Sequence, residues 1–254
     1  MAHPFDLSGR TALVTGGSGG LGFAIAQGLA RAGARVAING RDEAKLAAAA
    51  RWLADEGAAP LVAPFDVADA SATREGVAAV ERAFGTLDIV VNNAGTNRRA
   101  PIDGYTDDDW RAVMAVNVDG PFHVTRAALP AMKARGRGKI VNICSLASDL
   151  GRPNIVPYAV SKGGLKQFTR ALAVELAPHN IQVNGIAPGF FRTEMNAALV
   201  ADADFSAWVR RRTPAGRWGE PPEIAGAAVF LASSAADYVT GAILHVDGGF
   251  AAAY

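Results

Sequence analysis

The chain reads as an α/β protein, a doubly wound parallel sheet of about seven strands with helices on both faces. Three observations predict this. Short apolar runs recur at residues 11–15, 35–39, 61–65, 87–91, 139–144, 181–186 and 242–246. Between them lie longer stretches with apolar residues at helical spacing, so strand and helix alternate from end to end. No linker or internal repeat divides the 254 residues, so they are expected to form one domain. With half its residues hydrophobic, a chain of this length buries a large core.

The first run, Thr-Ala-Leu-Val-Thr, ends in Gly16-Gly-Ser-Gly-Gly-Leu-Gly22, and a helical pattern follows at once through Phe23, Ile25, Ala26, Leu29 and Ala30 to Gly33. Strand, glycine turn and helix form the context of a nucleotide-phosphate site: glycine lets the backbone approach, and a helix N-terminus favours an anion. Glycine turns also form with no ligand, but the flanking strand and helix favour a Rossmann-type dinucleotide site. The second strand is where such a fold selects its cofactor, and here it ends Asn39-Gly40-Arg41-Asp42. An acidic residue would bind the ribose hydroxyls, whereas an arginine suits a 2′-phosphate. Asp42 reads as the N-cap of the next helix, leaving Arg41 for the phosphate. NADP is expected, with NAD possible; a solvated loop charge is the other reading of Arg41.

A helix over 43–56 leads to the strand at 61–65 and to Asp66, which either accepts from an adenine amino group or caps a turn before the helix starting near Asp69. The strand at 87–91 runs into Asn92-Asn-Ala-Gly95, where small residues leave room for a cofactor. A long helical region follows, with Trp110, Val113, Met114 and Val116 among its apolar residues and Asn117 inside it. An asparagine there either bonds backbone or serves a site. Ser145 sits at the C-terminal end of the fifth strand. The helix over 157–177 is apolar on more than one face, which calls for the sheet on one side and another subunit on the other. The sixth strand leads to Ala187-Pro-Gly-Phe-Phe-Arg-Thr193. Residues 194–219 then read as an insertion on the substrate side, with Trp208, Trp218 and Arg210-Arg-Arg212. A helix over 222–232 and the strand at 242–246 complete the chain.

Within the sixth helix, Tyr158 and Lys162 are four residues apart and share a face. A phenol has a pKa of about 10, and a neighbouring ammonium stabilises the phenolate, so the pair is a candidate acid/base centre. Other chemistries have less support. Net charge is +1, which offers nucleic acid no electrostatic footprint. Lys133, Arg135, Arg137 and Lys139 read as a solvated helix end and loop. Cys144, the only cysteine, excludes an internal disulfide and a cysteine-rich metal site. His3, His123, His179 and His245 lack ligand spacing, so no metal is expected. No apolar run is long enough to span a membrane and no signal pattern opens the chain, so a soluble, cytoplasmic protein is expected.

Six motifs in order, Thr15-Gly16…Gly20-Leu21-Gly22, Asn92-Asn-Ala-Gly95, Asn117, Ser145, Tyr158…Lys162 and Pro188-Gly189…Thr193, resemble the short-chain dehydrogenases/reductases over almost the whole chain. The resemblance implies that Tyr158 protonates a carbonyl oxygen or takes a hydroxyl proton. Lys162 would lower its pKa and hold the nicotinamide ribose, Ser145 would bond the substrate oxygen, and Asn117 would hold a water linking Lys162 to solvent. On its own, Ser145 reads as a turn or cap hydroxyl. The dinucleotide would lie against Gly16, Ser18, Gly20, Leu21 and Gly22, then Arg41, Asp66 and Val67. Beyond these it would meet Asn93, Ala94, Gly95, Tyr158 and Lys162, and finally Pro188, Gly189, Phe191 and Thr193. Gly19 stands where NADP-preferring members often carry a basic residue, so Arg41 would act without that second contact. The family also implies a homotetramer.

A narrower resemblance lies in Asn97-Arg-Arg-Ala-Pro101, Ile143-Cys-Ser145 and Arg212-Thr-Pro-Ala-Gly-Arg-Trp-Gly219, which look like those of the bacterial gluconate 5-dehydrogenases, enzymes interconverting gluconate and 5-ketogluconate. The last segment also resembles enzymes of deoxy-ketogluconates, so a deoxy-gluconate 3-dehydrogenase or another polyol dehydrogenase is the alternative. A nucleotide-sensing protein without turnover is the rival from another class. Arg98, Arg99 and Arg152 fall in loops at C-terminal strand ends, where ligands bind in this fold, and a guanidinium grips a carboxylate through paired hydrogen bonds. Together with Ser145 and Tyr158 they are the expected contacts of a sugar-acid substrate; each arginine has an ion pair between subunits as its other reading. Phe190, Phe191 and Met195 either close the pocket as a lid or pack in the core.

Overall fold

The computed structural model of the protein describes residues 3–253. In chain order, β1 (Thr11–Val14) turns into α1 (Gly20–Arg31), followed by β2 (Arg35–Gly40), α2 (Glu43–Asp55), β3 (Leu61–Pro64) and α3 (Ala70–Phe84). The second half runs β4 (Ile89–Asn92), α4 (Asp107–Met114), α5 (Gly120–Arg135), β5 (Gly138–Ile143), α6 (Val156–Leu176) and β6 (Ile181–Pro188). It closes with α7 (Ala197–Ala201), α8 (Ala203–Arg212), α9 (Ala225–Ala232) and β7 (Ile243–Val246). The strands form one seven-stranded sheet in the order β3-β2-β1-β4-β5-β6-β7, every pair parallel. This is the Rossmann-type doubly wound order, with β1 and β4 adjacent where the winding reverses.

Alternation along each strand divides the core in two. Ala12 and Val14 of β1, Val36 and Ile38 of β2 and Val91 of β4 point to one face and pack with Ile25 and Leu29 of α1, Leu46 of α2 and Leu231 of α9. Leu13, Ala37 and Val90 point to the other, against Val77 of α3, Val124 and Met132 of α5 and Leu176 of α6. Helix starts are set locally: Asp42 accepts from the Lys45 amide at 3.0 Å, and Asp69 accepts from the amides of Ser71 and Ala72 at 2.8 and 2.9 Å.

Three details depart from the sequence reading. The helical region around Asn117 is not one helix: α4 and α5 are separated by a π-helical turn, Ala115–Asp119. Such turns widen the backbone to place one residue, and the residue placed here is Asn117, fully buried. The basic segment after α5 is not simply solvated. Arg135 donates to the Leu87 carbonyl, Arg137 pairs with the buried Asp88 at 3.3 Å, and Lys139 pairs with Asp237 at 2.7 Å. The region 194–219 folds as a 3-10 turn (Glu194–Asn196), α7 and α8, and a parallel bridge between Phe191 and Gly219 ties its ends together. Among the described residues no helix is long and apolar enough to cross a membrane.

Leu13 is fully buried in the central strand. Leu13→Ala is expected to lower the unfolding free energy by about 2–5 kcal/mol, measured by urea denaturation. A loss below about 1 kcal/mol would contradict tight packing at the middle of the sheet.

Candidate active site

The C-terminal ends of β1, β4, β5 and β6 open into a cavity of about 700 Å³, within the range of cofactor and small-molecule sites. One wall is the glycine turn. Gly16 has φ +61°, and a Cβ on Gly22 would lie 2.2 Å from the Gly16 carbonyl oxygen, so the turn closes only with glycine at both positions. The Asn93 side chain holds it by donating to the carbonyls of Thr15 (2.9 Å) and Gly16 (3.1 Å). In return the Thr15 hydroxyl accepts from the amides of Asn93 and Ala94, each at 3.0 Å. Both amide hydrogens of Asn93 are thus spent inside the protein, and its side chain braces the cradle rather than reaching across it. Helix α1 has Gly19 as its N-cap, with no side-chain cap and no acidic residue in its first turn. Its first amides fit an anionic diphosphate without competition.

Of the residues expected around a dinucleotide, Gly16, Ser18, Gly20, Leu21 and Gly22 line the cavity. So do Asn93, Ala94, Gly95, Tyr158, Lys162, Pro188, Gly189, Phe191 and Thr193. Arg41, Asp66 and Val67 are not on its wall. Arg41 meets Asp66 at 3.5 Å beside the ends of β2 and β3, and Asp66 also accepts from the Ala68 amide at 2.9 Å, the turn-capping role. Val67 is buried, and a Cβ on Gly120 would lie 2.9 Å from it, so its side chain is packing at the start of α5.

Across the cavity stand Tyr158, Lys162 and Ser145. Lys162 is buried and donates to the Ile143 carbonyl at 2.7 Å; its nitrogen lies 5.8 Å from the centre of the Tyr158 ring. Burial brings its pKa down to about 8. Burial likewise pushes the Tyr158 phenol up, with hydrogen bonding to the Ser145 side chain acting against it. Desolvation is the larger influence on the phenol and acts against the lowering expected from Lys162. Ser145 accepts from the Ala147 amide at 3.1 Å, the cap bond of its sequence reading, which leaves its O–H free to donate.

Asn117 lies outside the cavity wall, behind Gly95. Its oxygen accepts from the Thr96 amide (2.8 Å), and its nitrogen donates to the Thr96 carbonyl and to the Ser161 hydroxyl, both at 2.9 Å. Ser161 donates to the Tyr158 carbonyl at 2.7 Å, so Asn117 and the tyrosine are two bonds apart. Cys144 is buried and its thiol is pushed up by that burial, which argues against a thiolate.

The three arginines separate. Arg98 points away and lies 3.8 Å from Asp109, so the expectation that it contacts substrate is not met; its neighbour in the chain takes the opposite direction. Arg99 and Arg152 both line the cavity, and among the described residues neither has a carboxylate within ion-pair distance. Arg152 lies over the Phe205 ring at 4.7 Å, and its pKa is lowered by burial and then by Arg99. Phe190 belongs to an aromatic cluster with Phe205, Trp208, Trp218 and Phe250, all 5.3–5.7 Å from it. Phe191 is buried in the core and Met195 lines the cavity while half-exposed, so the two readings of this segment divide between its residues. Sequence reasoning missed Lys45, Trp208 and Phe250 as wall residues. Only the paired glycines 248 and 249, at φ +64° and +87°, hint at the turn that brings Phe250 back to the site.

Residues 16–251 match the family described as enoyl-(acyl carrier protein) reductase. The chain is 50% identical over 251 residues to the gluconate 5-dehydrogenase of Gluconobacter oxydans strain 621H, covering 98% of each protein. It is 48% identical over 245 residues to the 5-keto-D-gluconate 5-reductase of Escherichia coli strain K12, covering 96% of each. A crystal structure of a gluconate 5-dehydrogenase from Burkholderia cenocepacia J2315 in complex with NADP and tartrate is similar at a TM-score of 0.96 and 51% identity, over 99% of this chain and 98% of that one.

Lys162 gives a pH-dependent outcome. Its folded pKa of about 8 lies below the ordinary 10.5, so between those values the unfolded chain binds the extra proton. The stability of the wild type relative to Lys162→Met is expected to rise from pH 8 to pH 10, read from urea midpoints. A difference that is flat or falls over that interval would contradict a buried, desolvated amine.

Proposed function

Because the chain belongs to the short-chain dehydrogenases/reductases, we propose that it interconverts D-gluconate and 5-keto-D-gluconate with NADP, NAD serving less well. The observation that carries the reading is the joint placement of Tyr158 and Ser145 with two guanidiniums, Arg99 and Arg152, on one cavity. Neither guanidinium has a carboxylate partner among the described residues, and the half-buried Arg152 feels both its burial and the charge of Arg99, so an anion between them suits the site, and a sugar acid brings a carboxylate together with the hydroxyl that reacts.

When bound, NADP supplies or accepts the hydride. The protein's residues do the rest. Tyr158 gives a proton to the carbonyl oxygen in reduction and takes it from the hydroxyl in oxidation. Ser145 donates to the same oxygen, since its acceptor side is engaged by the Ala147 amide. Lys162, fixed by the Ile143 carbonyl, holds the ribose and stabilises the phenolate as it forms. Both amide hydrogens of Asn117 are taken, so its part in a proton relay from Lys162 to solvent falls to acceptor oxygens. Arg99 and Arg152 hold the carboxylate, and the aromatic cluster beneath Arg152 keeps its guanidinium in place.

The whole chain is read as one oxidoreductase domain, residues 194–219 forming the substrate side. Tyr158→Phe is expected to lower kcat in both directions by about 10²–10⁴ while leaving NADP binding intact, measured by steady-state kinetics and titration. Arg152→Met should raise KM for gluconate about tenfold or more and leave KM for a neutral polyol nearly unchanged. Equal effects on acid and polyol would overturn the carboxylate reading.

The protein is further read as a cytoplasmic homotetramer. Helix α6 leaves Val156, Val160 and Val174 exposed, the last at 79%, an apolar face that a second copy would cover. Light scattering at micromolar concentration is expected to give about four times the chain mass; a monomer would refute it.

A further inference from the structure

Glu194 is the one carboxylate among the described residues on the cavity wall, which it shares with the glycine turn. Its partner is Lys45, whose nitrogen lies 3.1 and 3.4 Å from the two carboxylate oxygens. Lys45 is the third residue of α2, its position fixed by Asp42, which accepts from its amide at 3.0 Å. It lines the same cavity as Ser18 and Gly19. A Cβ on Gly19 would meet nothing within 4 Å, so the glycine turn leaves open space there. Arg41, one turn earlier, is already matched to Asp66, so that pair alone offers a phosphate no net charge. The Lys45–Glu194 pair is itself exposed, at 55% and 80% for the two side chains, and an exposed pair is weak and easily exchanged.

We propose that Lys45 is a specificity-determining residue for NADP. Its ammonium exchanges the Glu194 carboxylate for the 2′-phosphate, taking the place of the basic side chain missing at Gly19, with Arg41 as the other cation. The inference rests on the reading of this cleft as a dinucleotide site. It makes Glu194 a competitor of the phosphate, and a plain strap between α2 and the 194–196 turn would not behave that way.

The test is calorimetric titration of wild type, Lys45→Met, Glu194→Gln and Arg41→Met with NADP, NAD and adenosine 2′,5′-bisphosphate, with no turnover involved. Lys45→Met is expected to weaken NADP and the bisphosphate about tenfold and to leave NAD unchanged. Glu194→Gln is expected to tighten both phosphorylated ligands a few-fold, again without effect on NAD. Raising the salt concentration should erode NADP affinity more steeply in wild type than in Lys45→Met. If Lys45→Met keeps the wild-type ratio of NADP to NAD affinity while Arg41→Met lowers it, the proposal falls and the cofactor reading survives. If Glu194→Gln weakens NADP as much as Lys45→Met does, the pair is a strap and the proposal falls. If wild type binds neither dinucleotide, the cleft has been misread and the proposal falls with it.

Discussion

A buried ammonium is the constraint on which the rest of this site depends. Lys162 lies in the interior with its nitrogen bonded to the Ile143 carbonyl. A cation taken out of water is costly unless oxygens are fixed around it, and loop ends do not fix oxygens well. The parallel sheet does: Ile143 ends β5, and its carbonyl direction is set by the ladder to β6. The same helix that carries Lys162 carries Tyr158 one turn earlier, so fixing the amine fixes the phenol. Desolvation moves both groups the same way, toward their neutral forms: it brings the amine down to about 8 and pushes the phenol up.

Around that centre, polar side chains tie together elements that the ladder leaves apart. Asn93 and Thr15 join the loops that follow β4 and β1, at the place where the sheet winding reverses. Asn92 donates to Asn142 at 2.8 Å, and Asn142 donates to Thr169 of α6 at 2.9 Å, a buried chain below the site. Asn117 and Ser161 do the same between the π turn and α6. The asparagine bonds to Asn142, Thr169 and Ser161 are buried and those of Asn93 partly so, and a lost partner there is expensive, so the geometry of the cleft is held stiffly.

The substrate side is built differently. Its floor is an aromatic cluster drawn from residues 190, 205, 208, 218 and 250, and its charge comes from Arg99 and Arg152 in two other loops. Loops with apolar anchors can vary their polar tips without disturbing the sheet, which separates recognition from chemistry.

Local chemistry was enough for much of this. Alternating apolar runs and helical spacing placed all seven strands, with ends shifted by no more than two residues, because a period and its punctuation are local properties. The glycine turn, the cap at Asp42 and the shared face of Tyr158 and Lys162 follow from neighbours in sequence. What required the tertiary structure was direction and distance between remote segments. Arg98 and Arg99 are adjacent and chemically identical, yet Asp109 draws one away while the other faces the cavity. Asn93 spends its side chain on a loop 77 residues earlier, a partner that spacing cannot reveal. The desolvation that raises Tyr158 and lowers Lys162 exists only once α6 has packed beside the end of β5, since it belongs to the folded site and not to any stretch of chain.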